Sequence, residues 1–241
     1  MALIDIVPSK AFDVFVADRI ADAIVAAEGP SVSLALSGGT TVARIYSSLA
    51  RDPRVDWGRV AIYQTDERCV PPGHPRNNYN MIAEMLLAAL PCTPKAVHRM
   101  SCETEKEAAE RYEEELPDRL DVVVLGVGED GHILSVFPGQ PTAWHDSALV
   151  SGAQSTDGER RLTLTPAYVS RTISGLVLAS GGAKASAVRR ALSGPLDPVG
   201  CPASMVRGWR WMLDEAAAAE LLASAGAGAP SGTTSSGPHR R

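Results

Sequence analysis

The chain has 241 residues, of which 45% are hydrophobic and 21% charged, with a formal net charge of −5. Such a length can bury about 70% of the unfolded chain's surface, enough for one large α/β domain or two small ones. The acidic balance argues against general nucleic-acid binding, which needs a basic face, and the sequence holds no apolar run long enough to cross a membrane.

The opening Met1 to Pro8 has neither a basic start nor a long apolar core, so no export leader is expected and the expected location is the cytoplasm. Phe12, Phe15, Val16, Ile20, Ala23 and Ile24 recur at helical spacing, which predicts an amphipathic helix over 11–28, closed by Gly29-Pro30. Val32 to Leu36 predicts a buried strand. Ser37-Gly38-Gly39-Thr40-Thr41 then leads into a helical pattern from Val42. The first turn of a helix has N–H groups without internal partners and a positive dipole end, which suits a phosphate. Gly38 and Gly39 let an anion approach the backbone, and Ser37, Thr40 and Thr41 offer hydroxyls. A capped turn without ligand fits the same residues.

Val60 to Gln64 predicts a second strand, ending in Thr65-Asp66-Glu67-Arg68. Three adjacent charges at a strand end are costly to bury unless paired, so a site rim or a salt-bridge network is expected. Helical patterns follow over 80–90 and 103–115, with an extended piece near Val97 to Met100 between them. The four cysteines, Cys69, Cys92, Cys102 and Cys201, have no zinc-type or redox-type spacing and are expected to be buried or incidental thiols, with no structural metal.

Val122 to Leu125 is a continuous apolar run that suits a strand covered on both faces. Gly126, Gly128 and Gly131 follow, and among them stand Glu129, Asp130 and His132. Ligands of open α/β sheets collect beyond the carboxyl ends of the strands, so this loop is the expected reaction centre. Arg161 to Pro166 predicts a strand and turn, and Leu176 to Ala179 another buried strand. Ser180-Gly181-Gly182-Ala183-Lys184 then opens a helix to about Leu192. A lysine in the first turn opposes the helix dipole unless an anion sits nearby, although a solvated lysine fits as well. An Ala-rich helix is expected from Asp214 to Ala223. Residues 1–225 are expected to form a single domain, and the Gly/Ser/Pro-rich residues 226–241 a disordered tail.

Taken together, these segments resemble the 6-phosphogluconolactonase family, within the wider group that includes glucosamine-6-phosphate deaminase/isomerase. The resemblance rests on Leu36 to Thr41, Asp66 to Pro71, Gly126 to Pro138, Arg161 to Thr165, Gly181 to Ala185 and Pro202 to Arg207, in that order. Asp66-Glu67-Arg68 and Ser135-Val136-Phe137-Pro138 fit the lactonase branch; the deaminases usually carry Glu-Tyr and Phe-Asn-Glu-Pro there. Val42 replaces a usual Pro, and Asn77 a usual Ser. A Pro-Lys-Pro-Pro stretch common before the Arg161 strand is replaced by Gly152 to Arg160, leaving either Arg160 as a stand-in for its lysine or a changed substrate preference.

The resemblance implies an α/β fold with a Rossmann-like, mostly parallel sheet, helices on both faces and room for a small α/β subdomain. It implies hydrolysis of 6-phospho-D-glucono-1,5-lactone without a cofactor, His132 being the general base and Asp130 its orienting partner. Gly38, Gly39, Thr40, Thr41, Lys184 and Arg207 are expected to hold the 6-phosphate. Arg68 and Arg161 are expected at the sugar, the phosphate or the oxyanion, and Asp66 at a sugar hydroxyl or holding Arg68. The partner is a small phosphorylated sugar lactone, with no nucleic acid or membrane; monomer and homodimer stay open. An amino-sugar-phosphate isomerase-deaminase and a non-catalytic sugar-phosphate sensor are the alternatives.

Overall fold

The structure, a computed structural model, describes residues 3–102, 105–140 and 148–226; the expected tail lies outside them except for Gly226. Its frame is a seven-stranded sheet in the order β1-β10-β9-β6-β2-β3-β5, with every neighbouring pair parallel. The strands are β1 (Leu3–Val7), β2 (Val32–Leu36), β3 (Val60–Gln64), β5 (Ala96–His98), β6 (Val122–Gly126), β9 (Ser174–Ala179) and β10 (Arg210–Asp214). A second sheet of three antiparallel strands joins β4 (Asp66–Arg68), β8 (Arg160–Leu164) and β7 (Val150–Gln154) in the order β4-β8-β7.

The continuous apolar runs behave as strands buried on both faces. Leu34, Leu36, Val122, Val124, Leu176 and Leu178 point into one core, with helices α1 (Phe12–Ala26), α2 (Thr40–Leu49) and α3 (Asn78–Met85). Their alternates Ala35, Val123, Leu125, Val177 and Ala179 point into the other. That core also takes residues of α4 (Glu105–Glu115), of the short α5 (Pro166–Val169), of α6 (Ala185–Ser193) and of α7 (Glu215–Gly226). The two-residue period of a strand feeds both layers from one run.

Chain direction across the sheet reverses at β2. From β2 the chain steps to β3 and β5 on one side; it then returns to β6, on the other side of β2, and continues outward to β9. A crevice opens beyond the carboxyl ends of adjacent strands at such a reversal. The glycine turns after β2, β6 and β9 all reach it.

The sequence reading missed four strands, among them β4, whose Asp66–Arg68 it read as the end of the preceding strand. Strand β1 is an edge strand with Leu3, Ile4 and Ile6 exposed, so it carries no buried run. Strand β10 holds Trp211, Met212 and Leu213 in the core but is preceded by a 3₁₀ turn that hid its start. Strand β7 buries only Val150 and contains Gly152, a weak strand former. The cysteine expectation is also corrected: Cys69 and Cys102 are joined in a disulfide, while Cys201 is a buried thiol and Cys92 an exposed one. The pairing was hidden because it joins the end of β4 to the segment after β5.

Candidate active site

One cleft of about 460 Å³ lies over the reversal, lined by Ser37, Gly38, Gly39, Thr41, Asp66, Arg68, Asn78, Gly128, His132, Arg161, Ser180 and Lys184, with others. On one wall, α2 begins with Gly39 at its N-cap, φ +121°, and no side chain caps it. A side chain is rarely tolerated at that φ. The uncapped first turn therefore presents N–H groups and its dipole end. Lys184 stands at the N-cap of α6. Its Nζ is 3.9 Å from Glu129, whose side chain is exposed, a contact too long and too solvated to tie up the ammonium.

Ser37 does not serve as the expected ligand donor. Its hydroxyl donates to the carbonyl of Val124 at 2.7 Å, tying the ends of β2 and β6 together. The side chain of Thr40 lies outside what the structure describes, although its backbone starts α2.

The opposite wall is the loop after β6. The Asp130 carboxylate accepts from the backbone N–H of His132 at 3.0 Å and lies 2.6 Å from Nδ1 of the same ring. An ionised carboxylate can only accept, so Nδ1 carries the proton and Nε2 keeps the free lone pair. Partial burial pushes the Asp130 pKa up, but the His132 ring and the backbone N–H outweigh it and hold the carboxyl below its usual value. Phe137 packs against the ring at 4.8 Å between centroids. Gly128 is required by close approach: a Cβ there would fall 2.1 Å from Nδ1 of His132 and 2.4 Å from Asp130 Oδ1. Leu134, at φ +56°, is strained in the same loop.

The floor comes from the small sheet. Arg68 and Arg161 are register partners on β4 and β8, and both reach the cleft. Arg68 donates to the carbonyl of Arg76, and Arg161 lies 2.8 Å from Glu159, yet the Nε of each is buried without an acceptor. Burial pushes the Arg161 pKa down, and the neighbouring Arg68 adds to this against the pull of Asp66. Two adjacent cations with spare donors fit an anion or an electron-rich oxygen.

Of the two arrangements expected at this strand end the site rim is the one found, Asp66 and Arg68 lining the cleft, and the acids are held by neutral donors and not by a salt-bridge network. Asp66 accepts from Thr65 and from Ser135 at 2.8 Å, which pins the loop after β6 to β4. Glu67 accepts from the backbone N–H groups of Arg68, Asn78 and Tyr79 and from the Gln64 amide. Burial raises its pKa, opposed by those donors.

Arg207, of the expected phosphate group, is not brought together with the others, and neither is Arg160, the expected stand-in for the missing lysine. Arg207 does not line the cleft; its guanidinium donates to the carbonyls of Ser204, Gly194 and Pro195, closing the end of α6. Arg160 is exposed and also stands outside the lining. Conversely, Asn78 lines the cleft and was passed over as a loop residue, while Ser135, outside the lining, supports the site through Asp66. Their signal is tertiary: Asn78 contacts the position where a Gly38 Cβ would sit, and Ser135 reaches 69 residues back to Asp66.

Residues 9–212 match the family described as glucosamine-6-phosphate isomerases/6-phosphogluconolactonase. The chain belongs to this family. It is 33% identical over 216 residues to a 6-phosphogluconolactonase of Streptomyces coelicolor, covering 79% of this chain and 82% of that one. With a 6-phosphogluconolactonase of Mycobacterium tuberculosis it shares 31% over 219 residues, covering 83% and 88%. The crystal structure of a 6-phosphogluconolactonase from Thermotoga maritima superposes with a TM-score of 0.80 at 25% identity, covering 89% of this chain and all of that one.

Proposed function

We infer that this chain hydrolyses 6-phospho-D-glucono-1,5-lactone to 6-phosphogluconate, the second step of the oxidative pentose phosphate pathway. The observation that carries the reading is that one cleft is lined both by the His132 ring, backed by Asp130, and by the uncapped N-terminus of α2 with Lys184. A phosphorylated six-membered ring needs both at once. Gly38, Gly39, Thr40, Thr41 and Lys184 hold the 6-phosphate, and its charge places C1 at the opposite wall.

His132 Nε2 takes a proton from water as the water oxygen bonds to the lactone carbonyl. Asp130 stabilises the imidazolium. Arg68 and Arg161 face the developing oxyanion, and Asp66 orders a sugar hydroxyl. Collapse breaks the bond between C1 and the ring oxygen, which receives the proton back from His132. The new carboxylic acid ionises and releases one proton per turnover. A lactone is reactive enough that a positioned base suffices, contributing about 10² to 10⁴ in rate.

The substrate is a doubly charged phosphate ester, which does not cross bilayers unaided, and no described helix is long and apolar enough to span one. We place the reaction in the cytoplasm. The test is proton release on adding fresh lactone, with spontaneous hydrolysis subtracted, beside ammonia release from glucosamine 6-phosphate. Wild type should act on the lactone and not on the amino sugar. His132→Ala should lower kcat by about 10² to 10⁴, and turnover near wild type would remove His132 from the mechanism.

A further inference from the structure

We propose that Arg190, on the far side of the catalytic loop from the cleft, is a positioning residue that sets the Asp130–His132 pair; the proposal rests on the lactone-hydrolysing reading above. Arg190 projects from α6 and is half-buried. One guanidinium nitrogen donates to the carbonyl of Asp130 at 2.6 Å, and the other to the carbonyl of Gly200 at 3.1 Å.

The first contact decides the geometry. A single oxygen of Asp130 accepts both contacts from His132, so the ring follows wherever the Asp130 carboxylate is held. Besides those contacts the Asp130 carboxylate accepts from its own backbone N–H. Its orientation is set by the peptide that joins it to Gly131, a residue at φ +93°. Both carbonyls flanking that turn are pinned from behind: that of Asp130 by Arg190, and that of Gly131 by the N–H of Ala203 at 2.9 Å. A charge-assisted bond of this length is the stronger of the two.

The glycine and the arginine fit each other. A Cβ at Gly131 would stand 3.2 Å from Arg190 Nη2 and 2.9 Å from Cys201 Sγ, so the missing side chain is the space the guanidinium uses. This also gives the Pro202 to Arg207 motif a role apart from substrate binding. Ala203 holds the loop directly, and Arg207 closes the end of the helix that carries Arg190.

The experiment compares Arg190→Met, Arg190→Gln and Arg190→Lys with Arg189→Met, which removes an exposed partner of Glu220 one residue away. Arg190→Met should lower kcat at least tenfold with KM within twofold. Lysine, able to reach one carbonyl but not both, should lie between. Millimolar guanidinium should restore part of the lost kcat in Arg190→Met but not in the control. In nitrogen-15 NMR without substrate, the Nδ1–H signal of His132 should move or broaden in Arg190→Met and stay in place in Arg189→Met. Wild-type kcat in Arg190→Met, or an unchanged His132 signal, overturns the proposal; if that variant fails to fold, Arg190→Gln and Arg190→Lys give the same readings. Should wild type fail to hydrolyse the lactone, the inferred activity fails, while the ring signal still decides what Arg190 does.

Discussion

At Gly128 the physical requirement is space. Ala there would keep an ordinary backbone but place its Cβ within 2.4 Å of both His132 Nδ1 and Asp130 Oδ1, so the pair must separate. Gly128→Ala is expected to lose about 10² to 10⁴ in kcat, as much as removal of the proposed base His132. Far-UV circular dichroism should stay unchanged. Steady-state kinetics check this, and retention of more than a tenth of wild-type kcat would contradict the arrangement. The glycine was legible in the sequence as part of a turn, whereas the ring packed against its Cα was not, because that contact depends on the loop folding back so that Gly128 N–H donates to the carbonyl of His132.

Among the elements, the end of β10 repeats the logic of buried acids held by neutral donors. Asp214 is 2% exposed. It accepts from the N–H of Ala217 in the first turn of α7, from the hydroxyls of Ser180 and Ser9 and from the N–H of Gly181. Desolvation raises its pKa, but those four donors outweigh it and leave the value lowered. A lowered folded pKa gives stability that is present above the unfolded value, about 4, and is lost as pH falls through the folded one. Asp214→Asn should therefore cost about 1 to 3 kcal/mol at pH 7. In urea denaturation the gap from wild type should narrow below about pH 4. Asp214 anchors Ser180 and Gly181, so the same change should loosen the turn beside Lys184.

The Cys69–Cys102 bridge acts on the same scale, closing a loop with a sequence separation of 33 that includes α3 and β5. For the oxidised protein, dithiothreitol should lower stability by about 3 to 4 kcal/mol on the chain-entropy account. Cys102→Ser should show no further loss on reduction. Equal denaturation midpoints with and without reductant would show that the bridge contributes nothing.

The whole molecule is two cores with one sheet as their common wall. Trp57 is buried in the first and Trp211 in the second. Since β2, β6 and β9 give alternate residues to both, neither core can dissolve without exposing the other's wall. We propose that residues 1–225 unfold as a unit. Variants reporting on Trp57 or on Trp211 alone should give coincident urea midpoints, also coincident with circular dichroism. Separated midpoints would mean two units.

Read along the chain, the amino acids themselves settled the buried strands β2, β3, β6 and β9, the glycine turns that follow three of them and the Asp130–His132 pair, because each is a local pattern. An uninterrupted apolar run must be covered on both faces, and a glycine turn between strand and helix frees backbone donors wherever the rest of the chain goes. The fold itself settled what those groups face. It spends Ser37 on Val124 and Arg207 on carbonyls at the end of α6, satisfies Asp66 and Glu67 with hydroxyls and N–H groups, joins Cys69 to Cys102 and sets Arg190 behind Asp130. Each of these pairs two residues from different segments, and their distance exists only once the sheet is assembled.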